Sequence, residues 1–345
     1  MVGRTPQPLN PWSSEQVITC ADETVGLRAV IAIDDTSLGP GLGGVRFSEY
    51  PDASAALIEA QRLARAMTFK HALADLPYGG AKAVIVTDGP APAGADRERL
   101  FTRFGEFVKR VGVFIPGIDM GTTRADMVTM RAAGAKVYSA DFDPSPWGAR
   151  GAYAALRAGA VHALGTDDLR DVRVAVQGVG HVGAALARLL AADGARVLVG
   201  DIDHDAAQRL ADQIGGLVID PADAPYAVCD IFSPCAVPQV LRADSVGRLQ
   251  CRLVAGVAAD IFDDDTTADA LHAAGVTVVP DYIVNAGSVI HEHARAMGWD
   301  EERLSKDVDR IGARVADLLE ESARVDEAPT RVAQRRARER LTQEL

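Results

Sequence analysis

The stretch "VRVAVQGVGHVG", from Val172 to Gly183, restricts the fold more than any other part of the chain. A β-branched apolar run ends in Gly178, Gly180 and Gly183, spaced GxGxxG, and an apolar-periodic segment, "VGAALARLLAADG", follows at once. A strand feeds a helix through so short a turn only where glycine permits it. The first glycine allows the turn, the second lets backbone approach a ligand, and the third lets helix and strand pack closely. Downstream, "RVLVGD", "HDAAQRLADQIG", "CDIFSP", "RLVAGVA" and "VTVVPDY" continue the alternation of strand and helix. That pattern predicts an α/β fold whose parallel sheet is wound on both faces.

A helix that starts this way is an anion site, because its first N–H groups lack intrahelical partners and its dipole favours negative charge. Gly178, Val179, Gly180, His181, Val182 and Gly183 are therefore expected to cradle a dinucleotide diphosphate, as a Rossmann unit does. Asp201 ends the next strand, where a carboxylate accepts hydrogen bonds from the adenosine ribose. A 2′-phosphate would meet that charge, and the following "IDHD" offers no arginine to hold it. The expected cofactor is NAD rather than NADP.

The first half of the chain reads differently. "VGLRAVIAI" sets Val25, Leu27, Ala29, Ile31 and Ile33 on one side at a period of two, as a strand on a core would, and the glycine-rich "LGPGLGGVRF" is expected to turn the chain. In "DASAALIEAQRLARAMTFK" the residues Ala56, Ala60, Leu63, Ala64 and Met67 fall at helical spacing, which leaves Lys70 near a helix C-terminus. After a "PYGGA" turn, Lys82 opens the β-branched run "KAVIV". Two readings of this segment stay open: solvated lysines beside an ordinary turn, or lysines converging on a ligand to which the glycines give room. A helix over "DRERLFTRFGEFVKRVG" leads to the turn-rich "FIPGIDMGTTRADM", which carries Asp119. Pro144 and Pro146 bracket an expected hinge, and the tail reads as two charged amphipathic helices.

Composition narrows the partners. The 345 residues suffice for two domains, and a net charge of -12 disfavours nucleic acid and anionic membranes as partners. No apolar run reaches transmembrane length, and "MVGRTPQPLNPWSSEQ" lacks the core of a signal peptide. Cys20, Cys229, Cys235 and Cys251 lie far apart without zinc spacing, so reduced thiols in a cytoplasm are expected, and no metal. The histidines of "HEH", His291 and His293, splay apart at i,i+2 and read as surface residues, and His71 reads as a helix-end residue. Cys235 reads as a packed thiol.

Taken in order, "GPGLGGVRF", "RLARAMTFKHALADLPYGGAK", "DMGTT", "PSP", "VAVQGVGHVG", "DIFSPCA", "PDYIVNAG" and "APTRVAQRRARERL" span nearly the whole chain. They resemble the glutamate/leucine/phenylalanine/valine dehydrogenase family, most closely its leucine-dehydrogenase-like branch. The resemblance implies an N-terminal α/β substrate and oligomerisation lobe, residues 1–147 with the last helix 326–345. A Rossmann NAD-binding lobe, 148–325, follows, with a cleft between the two. It implies Lys70 on the substrate α-carboxylate, Lys82 as catalytic base and Asp119 as catalytic aspartate relaying protons. Gly43 and Gly44 would offer backbone to the substrate, and Cys235, Ala236 and Asn285 would line the nicotinamide, Asn285 facing the substrate as well. The implied reaction is reversible NAD-dependent oxidative deamination of an apolar or aromatic L-amino acid to a 2-oxo acid and ammonia, by a homo-oligomer, dimer or octamer. Alternatives are a biosynthetic reductive aminase for a specialised 2-oxo acid and a catalytically silent NAD-binding regulator.

The chain also departs from the family pattern. "PSPWGA" stands for the common "PSPVTA", so Trp147 and Gly148 replace a small apolar residue and a threonine facing the substrate. "GVAAD" stands for "GAANN", bringing Ala259 and Asp260, "NAGSVIH" stands for "NAGGVIN", bringing Ser288 and His291, and Ile118 precedes Asp119.

Overall fold

Residues 10–343 are described by the computed structural model of the chain. They form two compact units, one running to Asp143 and taking up the chain again from Ala337, the other spanning Pro144–Arg336.

The first unit is built on five strands, β1 (Gln16–Asp22), β2 (Leu27–Asp35), β3 (Gly41–Ser48), β4 (Gly79–Val86) and β5 (Phe114–Ile118), in the order β1-β2-β4-β3-β5. β1 and β2 run antiparallel, β2 and β4 antiparallel, and β4, β3 and β5 parallel. β2 starts at Leu27 rather than Val25, because Glu23–Val25 is a 3-10 turn closed by Gly26 at φ +68°. Helix α1 (Ala53–Ala74) is capped by Asp52, whose Oδ1 accepts from the Ala55 N–H at 2.8 Å, and ends at Asp75 in the left-handed region. Ala56, Ala60 and Ala64 of α1 pack on Val30, Ala32 and Val84, small residues that bring helix and sheet close. The other face of the sheet, with Ile31, Ile33 and Ile85, is covered by Leu100, Phe101, Phe104 and Val108 of α2 (Gly94–Val111) and by Met127 and Met130 of α3 (Arg124–Ala132).

Both glycine-rich segments differ in part from the sequence expectation. The chain does turn at 37–40, but "GLGGVRF" is most of the inner strand β3, and Gly79 and Gly80 are the first residues of β4, so these glycines are strand residues. Their role is close backbone packing. A Cβ on Gly79 would stand 1.9 Å from the Asp35 carbonyl oxygen, one on Gly80 2.3 Å from the Thr68 nitrogen of α1, and one on Gly43 1.7 Å from the Ala81 carbonyl oxygen. The room at Gly79 and Gly80 is filled by β2 and α1, not left for a ligand.

The second unit carries six parallel strands, β6 (Arg173–Gln177), β7 (Arg196–Gly200), β8 (Leu217–Val218), β9 (Ile231–Pro234), β10 (Leu253–Val254) and β11 (Thr277–Val278), in the order β11-β10-β9-β6-β7-β8. The order reverses between β6 and β9, the switch point where doubly wound sheets bind ligands at the strands' carboxyl ends. Helices α4 (Ser145–Leu164), α5 (His181–Ala192), α6 (His204–Ile214), α7 (Asp265–Ala273), α8 (Asp281–Val284), α9 (Gly287–Ala296), α10 (Glu301–Val325) and α11 (Pro329–Gln343) complete the chain. Pro144 is the N-cap position of α4 and Pro146 lies in its first turn, where a missing N–H leaves no bond unmade, so this segment starts a helix. The division between units falls after Asp143, where the sequence reading puts it after 147, and again after Arg336 inside α11, where the reading puts it at about 326. No helix among the described residues is long and apolar enough to cross a membrane.

Candidate active site

In the first unit Lys82 and Asp119 form a buried ion pair. Parity along β4 points Lys82, like Gly80 and Val84, toward α1, and its Nζ lies 2.9 Å from Asp119 Oδ2 with the lysine side chain only 9% exposed. Asp119 follows β5 directly, and its turn is held by Thr122: the Asp119 N–H donates to Thr122 Oγ1 at 2.9 Å, and that hydroxyl contacts the carbonyls of Val45 and Asp119, each at 2.9 Å. The same Asp119 Oδ2 also accepts from Arg46 Nε at 3.1 Å. Burial alone would raise the Asp119 carboxyl, but the Lys82 ammonium and Arg46 guanidinium outweigh it and hold it well below the usual carboxylate range. Arg46 reaches on to Glu59 Oε1 at 2.6 Å, and Glu59 Oε2 accepts from Arg62 at 2.7 Å. Lys82, Arg46 and Arg62 thus surround the carboxylates of Asp119 and Glu59.

Gly44 sits against this pair. A Cβ there would stand 2.7 Å from the Asp119 Cβ and 3.1 Å from Lys82 Nζ, so glycine keeps the ion pair's surroundings open. Lys70 is half-buried on α1, two residues beyond Thr68, whose backbone packs on Gly80. His71 lies in the last turn of α1, as the sequence reading puts it. It is wholly buried, its Nδ1 bonded to the Gly79 carbonyl at 2.9 Å and its ring edge-on to Tyr78 at 5.7 Å, so it ties α1 to the strand bearing Lys82. Sequence reading misses Arg46, Glu59, Arg62 and Thr122. Arg46 lies inside the "GLGGVRF" run and Glu59 and Arg62 share a helix face at i,i+3, but nothing local says that these charges meet at Asp119.

In the second unit the residues expected to hold the cofactor converge at the carboxyl ends of β6, β7 and β9. Gly178 has φ +99°, and a Cβ on it would fall 2.5 Å from the Ala236 Cβ, while one on Gly183 would fall 2.1 Å from the Gly178 carbonyl oxygen. Gly180, the N-cap position of α5, has nothing within 4 Å of such a Cβ, and no side chain caps the helix. Its exposed neighbour His181 and the half-buried Val182 complete an open helix start whose N–H groups fit a diphosphate. Asp201 Oδ2 accepts from the Val179 N–H at 2.6 Å and Oδ1 from the Asp203 N–H at 2.9 Å, which aims the carboxylate at the loop and leaves lone pairs for a ribose diol. Asn285 donates to the Val257 carbonyl at 3.3 Å while its Oδ1 is buried without a hydrogen-bond partner, an acceptor that a carboxamide N–H would satisfy. Asn285 belongs to the second unit. Burial pushes the Cys235 thiol up, which keeps it protonated beside Gly183 rather than poised as a nucleophile.

The "HEH" histidines are a correction. His291 and His293 are buried, 4% and 7% exposed, because each ring finds a tryptophan: His291 stacks on Trp147 and His293 meets Trp299 edge-on at 5.1 Å. Among the described residues no group of metal-ligating side chains is present.

Two family descriptions match the chain. The family described as Glu/Leu/Phe/Val dehydrogenase, dimerisation domain, matches residues 14–135, and the one described as Glutamate/Leucine/Phenylalanine/Valine dehydrogenase matches residues 211–342. The chain is 37% identical to a leucine dehydrogenase of Bacillus cereus over 340 residues, covering 96% of this chain and 92% of that enzyme. It is 35% identical to a phenylalanine dehydrogenase of Thermoactinomyces intermedius, covering 96% and 93%. The crystal structure of L-tryptophan dehydrogenase from Nostoc punctiforme superposes with a TM-score of 0.81 at 31% identity, covering 96% of this chain and 97% of that one.

Proposed function

The chain belongs to the Glu/Leu/Phe/Val dehydrogenase family, and from that premise we propose that it uses NAD to deaminate an apolar or aromatic L-amino acid, with Lys82 and Asp119 at the reacting centre. It is an amino acid dehydrogenase. The observation that carries the assignment of the centre is the buried Lys82–Asp119 pair, backed by Arg46. As base, the Lys82 amine takes a proton from the water that adds to the substrate carbon and returns it to the departing amino group. Asp119 stays ionised through the working pH range and so holds and orients the amine. Lys70 supplies the fixed cation for the substrate α-carboxylate, and Gly43 and Gly44 bring backbone close to it.

NAD, when bound, supplies the hydride acceptor. Gly178 to Gly183 hold its diphosphate, Asp201 its adenosine ribose, and Cys235, Ala236 and Asn285 flank its nicotinamide. The relatives' printed names, leucine, phenylalanine and tryptophan dehydrogenase, support the apolar or aromatic substrate class. The description of the first family match, a dimerisation domain, supports a homo-oligomer, and four free thiols suit a reducing cytoplasm. Trp147, Gly148, Ser288 and His291 favour a second reading, reductive amination of a specialised 2-oxo acid. Following NADH oxidation with ammonia and a panel of 2-oxo acids tests both. Turnover of common branched-chain and aromatic acids supports the first, turnover of unusual acids alone supports the second, and none at all leaves a silent regulator.

A further inference from the structure

Four departures from the family pattern are two facing pairs in the second unit. The starts of α4 and α9 are in backbone contact: a Cβ on Gly287 would stand 2.2 Å from the Trp147 carbonyl oxygen and 3.2 Å from the Gly148 Cα. Across this contact the Ser288 Oγ lies 2.6 Å from the point that a Cβ on Gly148 would occupy. The serine oxygen therefore stands inside the volume a threonine at 148 would fill, and the two side chains are mutually exclusive without displacement. Beside them the Trp147 and His291 rings stack, with centroids 6.3 Å apart and planes within 14°. Ser288 is half-buried, and three residues before it Asn285 holds out its unpartnered buried Oδ1. A ligand that satisfies Asn285 lies at the helix start that bears the Ser288 hydroxyl.

We propose that Ser288 supplies from α9 the ligand-facing hydroxyl that the family pattern supplies from position 148 on α4. Glycine at 148 and serine at 288 are then one exchange and not two independent changes. The ligand half of this inference rests on the dehydrogenase reading above.

The test compares the full-length wild type with Gly148→Thr, Ser288→Gly, Ser288→Ala and the double variant Gly148→Thr/Ser288→Gly, by thermal melting and by steady-state kinetics on the amino acid the panel identifies. Gly148→Thr alone should lower the melting temperature on the order of 5 °C through overpacking. The double variant should recover more than half of that loss. Ser288→Ala keeps the packing, so melting should stay put while kcat/KM falls about 5- to 10-fold, as for a lost hydrogen bond. The double variant, with its hydroxyl back at 148, should stand closer to wild type than Ser288→Ala does. The division of the loss between KM and kcat shows whether the bond is made in the ground state, which a merely structural role would not move. An unchanged kcat/KM in Ser288→Ala, or a double variant that melts no higher than Gly148→Thr, overturns the proposal. A wild type that turns over no amino acid removes the dehydrogenase reading and the ligand half together, while the melting cycle still decides whether the two positions exchanged volume.

Discussion

The His71 imidazole should make the protein acid-labile in a defined window. A carbonyl only accepts, so the Nδ1 that meets the Gly79 oxygen carries the proton, and Nε2 is a bare acceptor, buried without a hydrogen-bond partner. Protonating it would place a charge in a site 0% exposed, next to Lys70. Burial first, and Lys70 second, push its pKa from 6.5 down to about 3. Between those values the unfolded chain binds a proton that the folded chain refuses, so stability rises with pH through the window and is flat above about 7. From pH 7 to pH 5 linkage gives a loss of about 2 kcal/mol from this residue alone. Such a loss corresponds to roughly 4–8 °C in the melting temperature of a unit this size. The assay is melting of the wild type and of His71→Gln, which does not titrate, at half-unit steps from pH 5 to 8. The variant starts lower, having lost its packing on Tyr78, but the gap should narrow toward pH 5 by about that amount. Parallel curves over the range would refute the reasoning, because they would mean that the folded imidazole titrates near its ordinary value. The window bears on function, since His71 joins the helix of Lys70 to the strand of Lys82.

Lys82→Ala should leave NADH binding, read by fluorescence, unchanged while turnover drops by about two to four orders of magnitude; near-normal turnover would remove Lys82 from the centre. Lys70→Ala should chiefly raise the KM for the amino acid, with a smaller fall in kcat from a misplaced Cα hydride, and a loss in kcat alone would contradict a carboxylate-binding role. Asp201→Ala should narrow the preference for NAD over NADP, and a wild type that uses NADP as well as NAD would count against the ribose assignment. Gly80→Ala drives a methyl group into the α1 backbone at Thr68 and Ala64 and should cost about 1–3 kcal/mol or more in urea unfolding, where a loss below 0.5 kcal/mol would show that the helix moves freely.

The second unit reads from sequence because its signals are local: each strand is a short β-branched run, each helix follows within a few residues, and Gly178, Gly180 and Gly183 mark one joint between them. Among its strands only β8, the two residues Leu217 and Val218, goes unread, since a strand that short has no period, while the helices α4 and α7 go unread as well. The first unit defeats the same method at its glycines. Local propensity assigns Gly41 to Gly44 and Gly79 to Gly80 to turns, whereas their value lies in which distant backbone they admit: Asp35 at Gly79, Thr68 at Gly80, Ala81 at Gly43. The charged centre is hidden for a similar reason, since Arg46 meets Glu59 and Asp119 only because β3 lies between β4 and β5. Gly44 and Gly80 show where sequence reasoning stops. They are the same residue type on adjoining strands of one sheet, yet a methyl group on Gly80 would collide with the α1 backbone and one on Gly44 with the Lys82–Asp119 pair. One glycine therefore lets the scaffold close and the other leaves room for the Lys82–Asp119 pair, and this difference is set by what stands opposite each Cα.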